Sequence, residues 1–478
     1  MDYFITRFCL QKSLAFLYCI GFLIVIRQYR ALLGSHGILP VENFVKKVRF
    51  WDAPSLFFFF PSDRYLQITG WAGLILSFVA LTGISEMYGL VVSMGVWFCL
   101  WALYQSFVNV GQIFYSYGWE LLLLESGFLA IFLGSSDTAP PVIMIWLYRW
   151  VLFRVMFGAG LIKIRCDSCW KDLTSLLFHY ETQPLPGPFS RFFHRFPIFI
   201  HKSAVIFNHF IELVVPIFLF GPSIVATVAG LFLVLFQSIL ISSGNFAWLN
   251  FVTLALCFSA FSDSFLSVFI PVNVPYNLPS VGWVHLGLVI ILLCLIGYLS
   301  IKPIRNMLSR HQVMNRSFDP LNCVNTYGAF GTVTRIRKEI IIEGTSDEVI
   351  TENTQWFSYE FKAKPGDVRR RPPQVSPYHY KIDWQMWFAA MSSYQQHYWF
   401  LPFMKKILEG NEEVLSLLKT NPFPDKPPKY LRAEWYEYHF APPENKEGVF
   451  WTRKRLGEYM PPIYLICNYS ECFNDNVK

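Results

Sequence analysis

Charge is spread so unevenly along this chain that its two parts cannot share a solvent. Residues 1–300 hold 29 Lys, Arg, Asp and Glu side chains, whereas the shorter stretch 301–478 holds 44. An ordinary soluble domain is about 25% charged, so the first part is too apolar for water and the second too polar for hydrocarbon. The expected architecture is a multi-pass α-helical membrane bundle followed by a soluble α+β domain with a small antiparallel sheet. The division is expected at 1–300 and 301–478, with polar loops at 27–64 and 163–203.

A spanning helix needs about 20 mainly apolar residues to cover about 30 Å of hydrocarbon. Nine stretches qualify at first sight: 8–26, 65–83, 87–108, 119–134, 142–162, 204–220, 224–242, 246–261 and 282–301. The fourth and eighth are short, so seven to nine apolar helices are expected. Arg27 and Arg30 follow the first stretch and no small-residue cleavage site does, which marks an uncleaved anchor. With nine spans, 27–64, 163–203 and the tail share one side. Their many Lys and Arg would place that side in the cytosol by the positive-inside rule. Two glycosylation sequons in the tail, at Asn315 and Asn468, argue for the lumen.

Ionisable groups inside spans are costly and are functional candidates by default. Here they are Glu120, Glu125, Arg149, Arg154, Lys163 and Glu212. Pairing of Arg149 and Arg154 with Glu120 and Glu125 across adjacent helices would fix the bundle; a buried polar site for substrate or headgroup is the sharper alternative. His209 and Glu212 share a helix face but lack further metal ligands. His179, Tyr180 and Glu181 form a loop cluster at the membrane edge, suited to fixing the loop or to acid–base chemistry.

Five of the ten cysteines lie in polar segments: Cys166, Cys169, Cys323, Cys467 and Cys472. They are disulfide candidates if those segments meet an oxidising lumen. Cys166 and Cys169 have redox C-x-x-C spacing but follow a membrane helix, which favours a structural disulfide or two free thiols over a thiol oxidoreductase. G-x-S-x-G, H-E-x-x-H, P-loop and G-x-G-x-x-G patterns are absent. His379 and Asp383 miss the H-x4-D spacing of membrane acyltransferases. The net charge of +7 is dispersed, with no basic tract for nucleic acid.

In the tail, 335–344, 355–364, 433–440 and 449–456 are predicted strands, and 384–393, 399–408 and 411–419 are predicted helices. Its many aromatic residues suit either a core or a recognition surface; Tyr378, Tyr380, Trp384 and Trp387 are the candidates for client contact.

Longer strings carry a resemblance. They are YGWELLLLESGFLAIFL (117–133), GAGLIKIR (158–165), FHYETQPLPGP (178–188), NHFIEL (208–213), HQVMN (311–315) and VNTYGAFGTVT (324–334). YEFKAKPGD (359–367), PYHYKIDWQMWFAA (377–390) and WTRKRLGEYMPP (451–462) follow in order. Together they resemble the lipase maturation factor family. The resemblance implies a multi-pass endoplasmic reticulum protein with a luminal C-terminal part and no cofactor. It implies a chaperone-like role in the folding and assembly of secreted homodimeric lipases such as lipoprotein lipase, alongside membrane lipid and other luminal folding factors. The tail and the 163–203 loop would then be luminal, against the positive-inside rule. The family pattern has a Cys at the position of Cys169 and, in some members, one where Ser175 stands, so Cys166 is an addition. No KDEL-type signal is present, and retention is expected to depend on spans or partners. The alternative is a membrane enzyme with Glu120, Glu125, Arg149, Arg154 and His179 around a polar site at the bilayer edge.

Overall fold

The computed structural model describes residues 3–272, 274–275, 278–443 and 448–465. It divides into two compact units. The first comprises 1–29, 41–335 and 374–379, and the second 30–40, 336–373 and 380–478. Packing therefore draws its boundaries elsewhere than composition does: 301–335 belongs to the first unit, and a short return segment at 374–379 joins it.

Among the described residues seven helices are long and apolar enough to cross a membrane. They are α1 (Phe4–Leu33), α2 (Asp63–Thr82), α3 (Leu90–Val110), α5 (Val142–Cys166), Ile198–Phe220, α8 (Ser223–Ser243) and α10 (Trp283–Leu308). The two short candidates become α4 (Gly118–Ala130) and α9 (Leu249–Cys257). At 1.5 Å per residue α4 rises only about 20 Å. Between α5 and α8 lie α6 (Leu176–Thr182) and α7 (Ile198–His209). After α7 the helix widens into a π turn at Phe210–Val214 and tightens into a 3-10 turn at Val215–Phe220. Pro216 explains the change, because it has no N–H for the carbonyl four residues back and its ring crowds that carbonyl.

Hydrogen bonds sort the helix ends of this unit into two groups. At the N-terminal end, the Asp263 carboxylate accepts from the backbone N–H groups of Phe4, Ile5 and Thr6 at 2.6, 3.0 and 3.2 Å. It caps α1 from more than 250 residues away, neutralising donors that a helix start leaves unpaired. Arg7 donates to the Thr138 carbonyl and Gln11 to that of Gly134, while Ser136 meets the Glu86 carbonyl. At the loop end, Ser55 bonds the Ser106 carbonyl, Asn322 donates to Asn109, and Trp170 donates to the Phe330 carbonyl. Parts of 41–64, 163–203 and 309–335 meet there.

The helices pack through small residues, as membrane helices do where hydrocarbon gives no hydrophobic drive. A Cβ on Gly127 of α4 would fall 1.9 Å from the Tyr18 hydroxyl of α1. Tyr18 is fully buried and donates to the Leu123 carbonyl at 3.3 Å.

The second unit holds a four-stranded antiparallel sheet in the order β4-β3-β7-β8. Its strands are β3 (Arg337–Thr345), β4 (Phe357–Ser358), β7 (Tyr430–Phe440) and β8 (Trp451–Ile463). Two-residue strands β1 (Arg316–Ser317) and β2 (Asn325–Thr326) pair in the first unit, and β5 (Glu360–Phe361) pairs with β6 (Leu418–Thr420) in the second. The four expected strands are present with shifted ends. The run 355–364 splits into β4 and β5, which serve different sheets. β8 runs on through Pro461 and Pro462, which an edge strand tolerates because no ladder needs their missing N–H. The expected helix at 411–419 shrinks to Glu412–Leu415, because Leu418–Thr420 pairs as a strand. The other two predicted helices appear as α11 (Lys381–Ala389) and α12 (Phe400–Leu408). Ile341, Tyr438, Phe440 and Trp451 form the sheet core, and Tyr438 donates to the Gly366 carbonyl at 2.6 Å.

Overpacking a tight core costs about 1–3 kcal/mol, so Gly127→Val is expected to lower both the melting temperature in detergent and the steady-state abundance. Gly95→Val, at a glycine whose Cβ would meet nothing within 4 Å, is expected to leave both unchanged.

Candidate functional site

Glu125 and Arg154 form the central polar node of the first unit. The pair is bidentate and both side chains are buried. Glu125 Oε2 also accepts from the Asn325 backbone N–H at 3.0 Å, from Asn325 Nδ2 at 3.2 Å and from the Tyr327 hydroxyl at 2.6 Å. Arg154 donates to the Asn325 carbonyl at 2.6 Å and lies 5.4 Å over the Trp150 ring. Asn325 further donates to the carbonyls of Leu121 and Asn322. The pair is thus neutralised and hydrogen-bonded by fixed neighbours, the condition under which a buried pair is tolerated, although Arg154 Nε finds no acceptor.

Arg149 departs from the expected pairing. It donates to the backbone carbonyls of Ser259 at 2.8 Å and Leu219 at 3.1 Å, and stands 5.0 Å over Trp146. Both carbonyls lie in 3-10 turns that end helices, where oxygens lack intrahelical donors and carry partial negative charge. Glu120 instead accepts from Tyr104 at 2.5 Å and lies 3.7 Å from His379 Nδ1. His379 sits among the rings of Tyr117, Trp119 and Trp248, accepts from Trp119 Nε1 at 3.3 Å, and its carbonyl accepts from Gln28 at 2.8 Å. Thus Glu120 and the return segment form a second node that sequence spacing alone did not reveal.

Lys163 and Glu212 pair at 2.5 Å. Asn208 bridges them, accepting from Lys163 at 3.2 Å and donating to Glu212 at 2.9 Å. The π turn carries Glu212 to this position. His209 turns to the Trp170 carbonyl at 3.0 Å, so the two residues serve different partners. Among the described residues no three His, Cys, Asp or Glu side chains converge as a metal site would require.

The loop cluster is buried. His179 stacks on Phe246 and meets Phe330 edge-on, Tyr180 stacks on Phe193, and Glu181 lies 3.9 Å from His194. Burial, assisted by the charge of Lys163, lowers the His179 pKa from 6.5 to about 3. A base that weak is neutral and poorly suited to proton transfer near neutrality. Behind it, Gln183 donates to Ser190 and to the Ser243 carbonyl, and Asn245 bonds both Leu185 and Pro186. Asn245 Oδ1 also accepts from Val375 and Ser376.

Cys166 closes α5 and is exposed, whereas Cys169 is buried against Trp170, Val205 and Val333. Both are free thiols. Burial raises the Cys169 pKa to about 11, which leaves little thiolate for exchange. Between them Asp167 pairs with Arg335, and accepts from the N–H groups of Cys169 and Val333. Arg335 first, then those N–H groups, hold its carboxyl well below the ordinary range. Cys323 is buried and also free; Cys467, Cys472 and Asn468 lie outside the described residues. Asn315 is exposed, but its Oδ1 accepts from Gly328 and its side chain lies over Gly118.

In the second unit sequence reasoning missed a buried cluster. Arg337 and Glu339, two apart on one face of β3, pair at 2.5 Å, and Lys364 reaches Glu339 at 2.9 Å. Asp383 accepts from the N–H groups of Ala363 and Lys364, and burial raises its carboxyl pKa. Of the aromatic contact candidates, Trp384 is core, while Tyr380 and Trp387 are half-buried; Tyr378 lies in the return segment of the first unit and accepts from Gln28.

Residues 5–268 match the model of the lipase maturation factor transmembrane domain, and 323–461 that of the lipase maturation factor C-terminal domain. The chain belongs to the lipase maturation factor family. It is a multi-pass membrane protein of that family. It is 41% identical to lipase maturation factor 1 of Bos taurus, over 96% of this chain and 89% of that one. The human lipase maturation factor 1 is 40% identical over 97% of this chain and 88% of its own. Lipase maturation factor 2 of Homo sapiens is 27% identical, over 95% and 82%. No solved structure matches significantly. Both domain models cover the nodes above: Glu125 and Arg154 fall in the transmembrane match, and Asn325 and Tyr327 in the C-terminal one.

Removing one partner of a buried pair strands the other charge and costs about 3–5 kcal/mol. Glu125→Gln and Arg154→Met are each expected to unfold much of the protein at physiological temperature, and the double variant to lose less than the sum. Equal, additive losses in thermal unfolding would contradict the node.

The His179 shift has a sign. Because the folded pKa is depressed, its stabilising contribution is full above pH 6.5 and is lost as pH falls toward 3, by up to about 1.4 kcal/mol per pH unit. His179→Phe keeps the ring contacts and removes that loss. The melting-temperature advantage of the variant should therefore grow between pH 6.5 and 4.

Proposed function

We propose that this protein is an endoplasmic reticulum membrane factor that assists the folding and assembly of secreted homodimeric lipases, such as lipoprotein lipase, in the lumen. The observation that carries this reading is the match to lipase maturation factor 1 over nearly the whole chain. The burial of the polar nodes fits a structural role for them: Glu125 pairs with Arg154, Glu212 pairs with Lys163, and Arg149 donates to two helix-end carbonyls. The acid–base alternative through His179 is disfavoured by its low pKa, and the thiol alternative by the buried Cys169.

In this reading the second unit and the 163–203 loop are luminal, and the second unit meets clients. Its contact surface passes from the buried Trp384 to Trp387 and to the exposed Phe388, Met391, Tyr398 and Leu401 of α11, α12 and the turn between them. Apolar side chains held in water engage the apolar surface that an unassembled lipase exposes, which limits aggregation of intermediates.

Cells lacking their own factor, supplied with this chain and a secreted lipase, test the reading. Active lipase should appear in the medium with the wild type. It should fall severalfold with Phe388→Ser/Leu401→Ser at equal factor abundance. Protease added to intact microsomes should spare the second unit. Digestion of that unit, or lipase activity independent of the factor, would sink the proposal.

A further inference from the structure

An apolar crevice of about 720 Å³ lies within the first unit, on the flank formed by α1, α8 and α9. Its walls include Phe16, Leu231, Phe251, Leu254, Phe258 and Phe265. That volume falls within the ~300–1,000 Å³ typical of small-molecule sites. Phe16 and Leu231 are strongly exposed, so the crevice opens where a membrane-spanning bundle meets hydrocarbon.

One charged side chain lines it among the described residues, that of Lys12. Lys12 Nζ donates to the Ala80 carbonyl at 2.8 Å and lies 3.4 Å from Glu86. Ala80 is in the last turn of α2, and Glu86 belongs to the turn leading to α3. A turn between two spans lies at the level of the headgroups, so the ammonium is interfacial while the walls run inward from it. An ammonium has three N–H donors; two are directed at Ala80 and Glu86, and the third can reach an anionic oxygen at the mouth. The Glu86 carboxylate is meanwhile held by Ser85 at 2.9 Å and Trp97 at 3.2 Å. The crevice thus joins an apolar trough to a fixed interfacial cation.

We propose that the crevice between α1, α8 and α9 is a resident phospholipid site, taking one acyl chain along Phe16, Phe251 and Leu254 while Lys12 donates to the lipid phosphate. A chain held there fills the gap beside α1, whose packing fixes the bundle. Annular lipid without a site would coat this flank and any other exposed flank alike.

The test uses the full chain purified in detergent and a phosphatidylcholine carrying a diazirine in one acyl chain. Photolabel should concentrate on peptides bearing Phe16, Phe251 and Leu254 over the exposed Ile75 of α2. A diacylglycerol probe with the same chain but no phosphate should label the crevice about fivefold less, as should phosphatidylcholine on Lys12→Gln. Leu254→Trp, which fills the trough, should abolish the label. Equal labelling of Ile75 would overturn the site, and equal labelling by the two probes would overturn the role of Lys12. Both comparisons use the wild type, so they decide the matter even if a variant fails to fold.

Discussion

The buried Glu125–Arg154 pair is the constraint on which the first unit depends. Two charges inside a membrane bundle are tolerable only if each is neutralised and hydrogen-bonded. Glu125 comes from the short helix α4 and Arg154 from the long helix α5, yet three further hydrogen bonds accepted by Glu125 come from Asn325 and Tyr327. Those residues lie in a stretch that composition assigns to the soluble tail. The need to satisfy one carboxylate therefore draws residues 309–335 into the membrane unit, and the resemblance strings 117–133 and 324–334 meet at that point.

The same logic governs the helix ends. Short or broken helices leave backbone groups without partners, and in a bundle water cannot supply them. Arg149 takes the free carbonyls of Leu219 and Ser259, and Asp263 takes three N–H groups at the start of α1. Arg149, Arg154, Glu125, Lys163 and Glu212 each meet a backbone group or a partner charge, and Glu120 accepts from the Tyr104 hydroxyl. That explains how α4 and α9 can be too short to span and still hold their place.

Much of this was legible beforehand. The long spans follow from length and composition, and the β strands from runs of branched and aromatic residues. The pairing of Lys163 with Glu212 was not legible, because regular helical spacing does not anticipate the π turn that Pro216 induces. Nor was the Arg337–Glu339–Lys364 cluster, because charged residues in a soluble-looking segment read as surface. Trp384 and His179 illustrate the same limit: a residue type suggests contact or chemistry, and only burial shows that both are enclosed.

Sequence alone determined the class of the protein. Local quantities suffice for that: the apolar run lengths that hydrocarbon demands, the charge density that water demands, and strings long enough to mark a family. Tertiary structure decided which charges meet, where the packing boundaries fall and which aromatic residues stay exposed. These depend on contacts between residues as much as 200 or more positions apart, such as Glu125 with Asn325 and Phe4 with Asp263. Desolvation energy acts on proximity in space, and no local pattern in the chain encodes it.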